Sequence, residues 1–420
     1  MRHGIRFAAP SARSAAGFTL IELLVALTIT VVILLGVLAF FDVNTKVARA
    51  QTNVAGMQQS ARVAQSTIVR TLRTTGRGTL PVGSLPAGTA IAVCNNAQVD
   101  PACDRTEIAI GFEGTPAIVP GTDVLTVRGV FSAPLWQVNH TDPSTFSVNT
   151  AGVEITGTLR IASVSHTGVP QPTAALVDAL SADPPIAEPL LLTSPLDDRI
   201  FAVVEIDPAT SDVSDPDDLV LGFKYSGGVR TGGYQGLTGG AAFPTELTSV
   251  AFAGILEEYR FYVRAVREIP GDETSALSPL LSMARLYPNS EEPYGSSLEE
   301  LRVDIADNVL DLQVALGIDL DGAGTVTDGA SADDEWLFNH PEDDPDPGLW
   351  NVAGRRLAYV RLSTLVRTDG PDHNYRSSPL EAIEDRVYLE PAEPADADRV
   401  DRMHRRRVLA SVVDLRNLGA

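Results

Sequence analysis

The chain is poor in cysteine, in aromatic residues and in net positive charge, and each shortage excludes something. With two cysteines in 420 residues it is no disulfide-built scaffold. With 6% aromatic residues and many glycines and prolines, it suits short strands joined by turns and long loops better than a helical bundle. A net charge of −22 and a pI near 4.6 argue against a nucleic-acid partner, because phosphate binding needs a basic surface. Catalytic signatures are lacking too. The histidines His140, His166, His340, His373 and His404 have no metal-ligand spacing, and there is no Gly-x-Ser-x-Gly elbow or phosphate-binding glycine loop. The sequence gives no ground for expecting an enzyme.

What is present begins at the N-terminus. A short basic stretch with Arg2, Arg6 and Arg13 and no acids precedes an apolar run from Phe18 to Phe41. As a helix this run reaches about 36 Å, enough to cross a hydrocarbon core of about 30 Å. Arginines before it and none within it set the N-terminus in the cytoplasm and the rest of the chain outside. The small residues come before the apolar run, the reverse of a secretory signal peptide.

One carboxylate, Glu22, interrupts that run. Its cost in a bilayer makes a functional partner the default expectation. Cleavage after Gly17 would give Phe18 a free cationic amine, able to pair with Glu22 of a neighbouring helix. Beyond the span, Val43, Val47, Ala50, Val54, Met57, Ala61, Ala64, Ile68 and Leu72 recur at steps of four and three, with Gln51, Gln58, Arg62 and Arg70 on the other face. This is the stripe of an amphipathic helix made for packing on a sheet, and Gly76 is placed to cap its end.

The run Gly17-Phe18-Thr19-Leu20-Ile21-Glu22 resembles the prepilin cleavage and methylation motif of type IV pilins and type II secretion pseudopilins. The resemblance implies that a prepilin peptidase cuts after Gly17 and methylates Phe18, and that Glu22 is needed for subunit assembly. It also implies an α+β pilin-like fold, with a long N-terminal helix packed on an antiparallel β-sheet head carrying large loop insertions. The corresponding organisation is a leader at 1–17, a transmembrane half-helix at 18–41, an amphipathic half at 42–76 and an extracytoplasmic head at 77–420.

Within the head, Asp123–Arg128, Glu258–Arg264, Leu310–Ile318, Tyr359–Val366 and Val408–Leu415 alternate as strands with one buried face. Long loops are expected at Ser211–Asp218, Ser226–Gly240 and Gly322–Asp334. The segment Leu310–Asp319, Tyr359-Val360-Arg361-Leu362 and the ending from Arg405 are similar to PilW-type minor pilins. That similarity implies a low-abundance subunit priming filament assembly with other minor pilins, the major pilin and an inner-membrane platform. The alternatives are a J-type pseudopilin of a type II secretion system and a membrane-tethered adhesin. The region from about Pro81 to Phe243 carries little family signal, and a specialised binding surface would lie there.

Three further features stay open at this level. Cys94 and Cys103 are close enough in sequence to close a small disulfide loop in an oxidising compartment, or are two separate thiols. Asp319-Leu320-Asp321-Gly322-Ala323-Gly324-Thr325-Val326-Thr327-Asp328 has the alternating Asp and sharp-turn Gly of a calcium loop, with Asp319, Asp321 and Asp328 as ligands. It departs from the EF-hand at its fifth position, Ala323, and its twelfth, Ala330, so an acidic turn at a strand end is the competing reading. The acidic run around Trp336, Phe338 and Trp350 reads either as a sugar-binding surface or as a solvated loop anchored by its rings.

Overall fold

The computed structural model describes residues 18–77, 80, 90–97, 118–132, 134–151, 154–181, 188–197, 200–225, 242–269, 272, 274–275, 277–288, 302–327, 334–341, 343, 356–373, 375–388 and 401–415. It contains two compact units, Met1–Ala55 and Gly56–Ala420.

Helix α1, Leu20–Thr74, opens on a capping box. The Thr19 N–H and hydroxyl donate to Glu22 Oε2 at 3.0 and 2.9 Å, and the Glu22 N–H donates to Thr19 Oγ1 at 3.3 Å. In the first unit the apolar side chains from Phe18 to Val47 are exposed. In the second, Met57, Ala61, Ala64, Gln65, Ile68 and Leu72 are buried, the lower part of the amphipathic stripe read from the sequence. Gly76 follows the helix with φ +74°, the left-handed conformation that a glycine adopts without a Cβ penalty. Its N–H donates to the Arg128 carbonyl at 3.3 Å, outside the helix.

The strands follow in chain order: β1 Ile91–Cys94, β2 Val124–Gly129, β3 Leu135–Gln137, β4 Phe146–Asn149 and β5 Thr156–Ala162. After the short helix α2, Ala174–Ser181, come β6 Pro189–Thr193, β7 Phe201–Ile206, β8 Asp218–Lys224, β9 Phe252–Ile255, β10 Glu257–Arg267, β11 Leu277–Leu286 and β12 Arg302–Asp307. The last group is β13 Val309–Asp319, β14 Trp336–Leu337, β15 Arg356–Arg367, β16 Ala382–Ile383, β17 Arg386–Val387 and β18 Arg406–Asp414. Every pairing between these strands is antiparallel. The fold is α+β, a long N-terminal helix with antiparallel sheets.

Among the described residues the head has three larger sheets and the two-stranded β16-β17 ribbon. A five-stranded sheet runs β1-β2-β10-β11-β12, a four-stranded sheet β14-β13-β15-β18, and a seven-stranded sheet β3-β9-β6-β7-β8-β5-β4. The third is built mostly from the region without family signal, and it has its own core. Leu159, Ile161, Leu190, Leu192, Val204 and Leu221 from its strands meet Leu176 and Leu180 of α2 there. The four-stranded sheet holds the end of α1 through Gln65. The Gln65 amide nitrogen, Nε2, donates to the Leu362 carbonyl of β15 at 3.3 Å and to the Leu409 carbonyl of β18, and its Oε1 accepts from the Ser411 hydroxyl at 2.6 Å.

Of the strands forecast with one buried face, β18 alternates as expected, but β2 and β13 need a correction. β2 is buried at every position, and β13 at nearly every one. Their polar residues face partners instead of water. Arg128 Nε lies 2.5 Å from Glu258 Oε2, and Arg260 Nη2 lies 2.7 Å from Glu258 Oε1, with all three residues buried. On β13, Asp311 is 2.9 Å from the Arg386 guanidinium and accepts from the Tyr388 hydroxyl. The alternation is real, but both faces are covered.

Candidate functional site

The first candidate is the start of α1. Gly17 lies outside the described residues. Phe18 is exposed and directly precedes the capping residue Thr19. Glu22 is the acidic residue of the first turn, where the partial positive charge of the helix N-terminus favours a carboxylate. The sequence reading gave Glu22 only an intermolecular role, and missed the Thr-x-x-Glu pattern of a capping box that was visible there. α1 is long and apolar enough to cross a membrane.

The second candidate is the turn after β13. Asp319 is 9% exposed, and its Oδ2 accepts from the Gly324 N–H at 2.9 Å. Asp321, at the surface, accepts from the Ala323 N–H at 2.8 Å. Gly322 and Gly324 adopt φ of +74° and +78°, which turn the chain back on itself. Asp328 lies outside the described residues, so the predicted trio is not brought together in view. A residue absent from that trio is brought in: Glu335. Its Oε1 accepts from the Leu320 N–H at 3.0 Å, and its Oε2 from the Thr327 N–H at 2.7 Å and the Thr327 hydroxyl at 3.0 Å. Asp319, Asp321 and Glu335 each present an oxygen within 4.8 Å of the others. Hydrogen bonds from Thr327, the backbone N–H first, hold the Glu335 carboxyl below its ordinary range against the effect of burial.

Beside this turn the aromatic residues are structural. Trp336 and Leu337 pair with Gly317 and Leu316 as β14, and Trp336, Leu337 and Phe338 are buried. The Arg361 guanidinium lies 4.4 Å from the centre of the Trp336 ring. These rings anchor the acidic segment to the sheet, as the second of the two sequence readings has it. Trp350 lies outside the described residues. In the basic ending, Arg405 pairs with Asp372 at 3.0 Å and stacks on Tyr375 at 4.5 Å, an intramolecular arrangement.

A third cluster is buried and acidic. Asp123 accepts from the Asn96 N–H at 2.9 Å and the Val314 N–H at 2.7 Å. Burial, with Asp385 close by, raises its carboxyl well above the ordinary range in spite of those bonds. Asp385, in the turn between β16 and β17, accepts from the Asn95 and Asn96 side-chain amides at 2.6 and 3.0 Å, and burial pushes it up to about 6. Burial raises Asp311 as well, with Arg386 opposing. These bonds tie the turn after β1, the entry to β2, the middle of β13 and the β16–β17 turn into one network. Cys94, at the end of β1, is disulfide-bonded, and the other cysteine of the chain, Cys103, lies outside the described residues.

In the seven-stranded region, His140 and His166 meet edge to face with ring centres 5.9 Å apart, a contact that the sequence did not reveal. They border a cleft of 420 Å³ with Gln137, Ser194, Asp197 and Phe252.

Residues 12–38 match the family described as the prokaryotic N-terminal methylation motif. No curated protein matches the chain. Among solved structures, a type IV-like pilin from Thermus thermophilus is similar at 11% identity and a TM-score of 0.19, over 59% of this chain and 95% of that one. The motif and the apolar span that follows it together make the N-terminal helix a membrane anchor. Across residues 12–38, the chain carries the prokaryotic N-terminal methylation motif.

Proposed function

We propose that this protein is a minor pilin of the PilW type, cut after Gly17, methylated on Phe18 and placed at or near the tip of a type IV filament that it helps to prime. The role is structural, not enzymatic. Before assembly it sits in the inner membrane with its N-terminus in the cytoplasm and its head in the periplasm. Its partners are the prepilin peptidase, the other minor pilins, the major pilin and the inner-membrane assembly platform. The observation that carries this reading is Glu22, the one carboxylate of an apolar span that begins at Phe18 inside a matched methylation motif. Inside an apolar bundle, that carboxylate would neutralise the N-terminal amine of an adjoining subunit. A pair left half unmatched costs roughly 3–5 kcal/mol, which would fix the subunit register.

The capping box supplies the decisive experiment, because Glu22 has two separable roles. Glu22→Gln keeps a side chain that can cap the helix but loses the charge, whereas Thr19→Ala breaks the box and keeps the charge. In a strain deleted for the gene, electron microscopy should show pili lost, then restored by the wild type and by Thr19→Ala but not by Glu22→Gln. Full piliation with Glu22→Gln would sink the charge-pairing mechanism. Unchanged pili in the deletion strain would reject the pilus role; a secretion defect would then point to a pseudopilin, and normal secretion to a tethered adhesin.

A further inference from the structure

We propose that the turn after β13 is a calcium site held by Asp319, Asp321 and Glu335. Three carboxylates converge on one small volume, and no arginine, lysine or histidine pairs with any of them among the described residues. Such a concentration of negative charge favours a bound cation. Solvent screens Asp321, which is exposed, but not Asp319. The Asp319 carboxylate is nine-tenths buried, one of its oxygens is bound to the Gly324 N–H, and the other, Oδ1, has no hydrogen-bond partner among the described residues. A buried carboxylate oxygen without a donor costs about 1–3 kcal/mol or more. A cation in the cluster removes that cost.

The chemistry selects the ion. The donors are all oxygen, which suits a hard cation. Oxygens bound to calcium at about 2.4 Å from one centre lie at most about 4.8 Å apart, the span within which these three atoms fall. Gly324 occupies the sixth position counted from Asp319, where calcium loops of this kind have a glycine for their sharp turn. The carboxylate missing at the twelfth position, where Ala330 stands, comes from Glu335 across a strand pairing. Gly317 pairs with Trp336, and the Ile318 N–H donates to the Glu335 carbonyl at 2.8 Å, so the β13–β14 register sets Glu335 beside Asp319. Glu335 also braces the loop through Leu320 and Thr327. Magnesium is the poorer fit, because it demands near-ideal octahedral geometry and gives up its water reluctantly. This site stands independently of the filament reading.

The test is calorimetry on the full-length chain in detergent micelles, titrated with calcium chloride and separately with magnesium chloride. Wild type should bind one calcium with a Kd of roughly 10⁻⁴–10⁻³ M, the range of calcium modules of modest charge and rigidity. Asp321→Asn, at an exposed position where folding is not at risk, should weaken binding about tenfold or more, and so should Asp319→Asn with an unchanged circular dichroism spectrum. The absence of saturable heat in wild type up to about 10 mM calcium would overturn the site. So would equal affinity in wild type and Asp321→Asn, which would put the ion elsewhere. Magnesium bound as tightly as calcium would overturn the choice of ion.

Discussion

The seven-stranded sheet and the layer between β2, β10 and β13 bury side chains by opposite means. The first relies on apolar side chains, on both faces of β6 and β7 and on one face of β5. On β5, Leu159 and Ile161 point into the core while Arg160 and Ala162 stay at the surface. The second buries both members of each alternating pair. Leu125 and Val127 pack on one side of β2, and Thr126 and Arg128 are enclosed on the other. Arg128 stands directly across from Glu258 in the β2–β10 register, and that carboxylate is shared with Arg260. Apolar burial is non-directional and tolerates small changes of shape. A buried charge network requires its partners in place, so it specifies one arrangement and fails abruptly when a member is lost.

Denaturant unfolding of the detergent-solubilised chain can break this contrast. Glu258→Ala removes the counter-charge that two buried guanidiniums share and should cost about 3–5 kcal/mol. A loss below about 1 kcal/mol would mean that the network does not depend on its shared carboxylate. Asp385 sharpens the comparison through pH. Its folded carboxyl titrates at about 6, above its value in the unfolded chain, so the folded state holds the proton more firmly. The resulting stability is fully present below the unfolded range near 4 and is lost as pH rises through about 6. Asp385→Asn should therefore be more stable than wild type at pH 7.5, by roughly 1–3 kcal/mol, with the gap closing by pH 4. A gap that does not change with pH would contradict the burial of that carboxyl. The smallest effect belongs to the apolar sheet, where Ile161→Val should cost about 0.5–1.5 kcal/mol and leave the pH profile unmoved.

The same contrast explains what could be read in the sequence. The spacing from Met57 to Leu72 gave the buried stripe of α1, because an amphipathic helix writes its packing into local periodicity. The cores of β2, β10, β13, β15 and β18 were legible for a similar reason. The covered second faces of β2 and β13 were not. Nothing near Arg128 in the sequence indicates that residue 258, far along the chain, will cover it, and a lone polar residue in an alternating strand reads as solvent-facing. Glu335 was hidden in the same way. In a chain with 54 acidic residues one more glutamate carries no signal, and only the pairing of Gly317 with Trp336 brings it to Asp319. The capping box was different, since Thr19 and Glu22 sit three residues apart and the signal was there to be seen.

Gln65 has a mechanical consequence. Its amide grips the carbonyls of two neighbouring strands, β15 and β18, while a serine hydroxyl holds it from the other side. The lower part of α1 is therefore tied to two strands at once, and not to the edge strand β18 alone. The grip also fixes which face of the lower part of α1 meets the sheet, because turning the helix would break all three bonds.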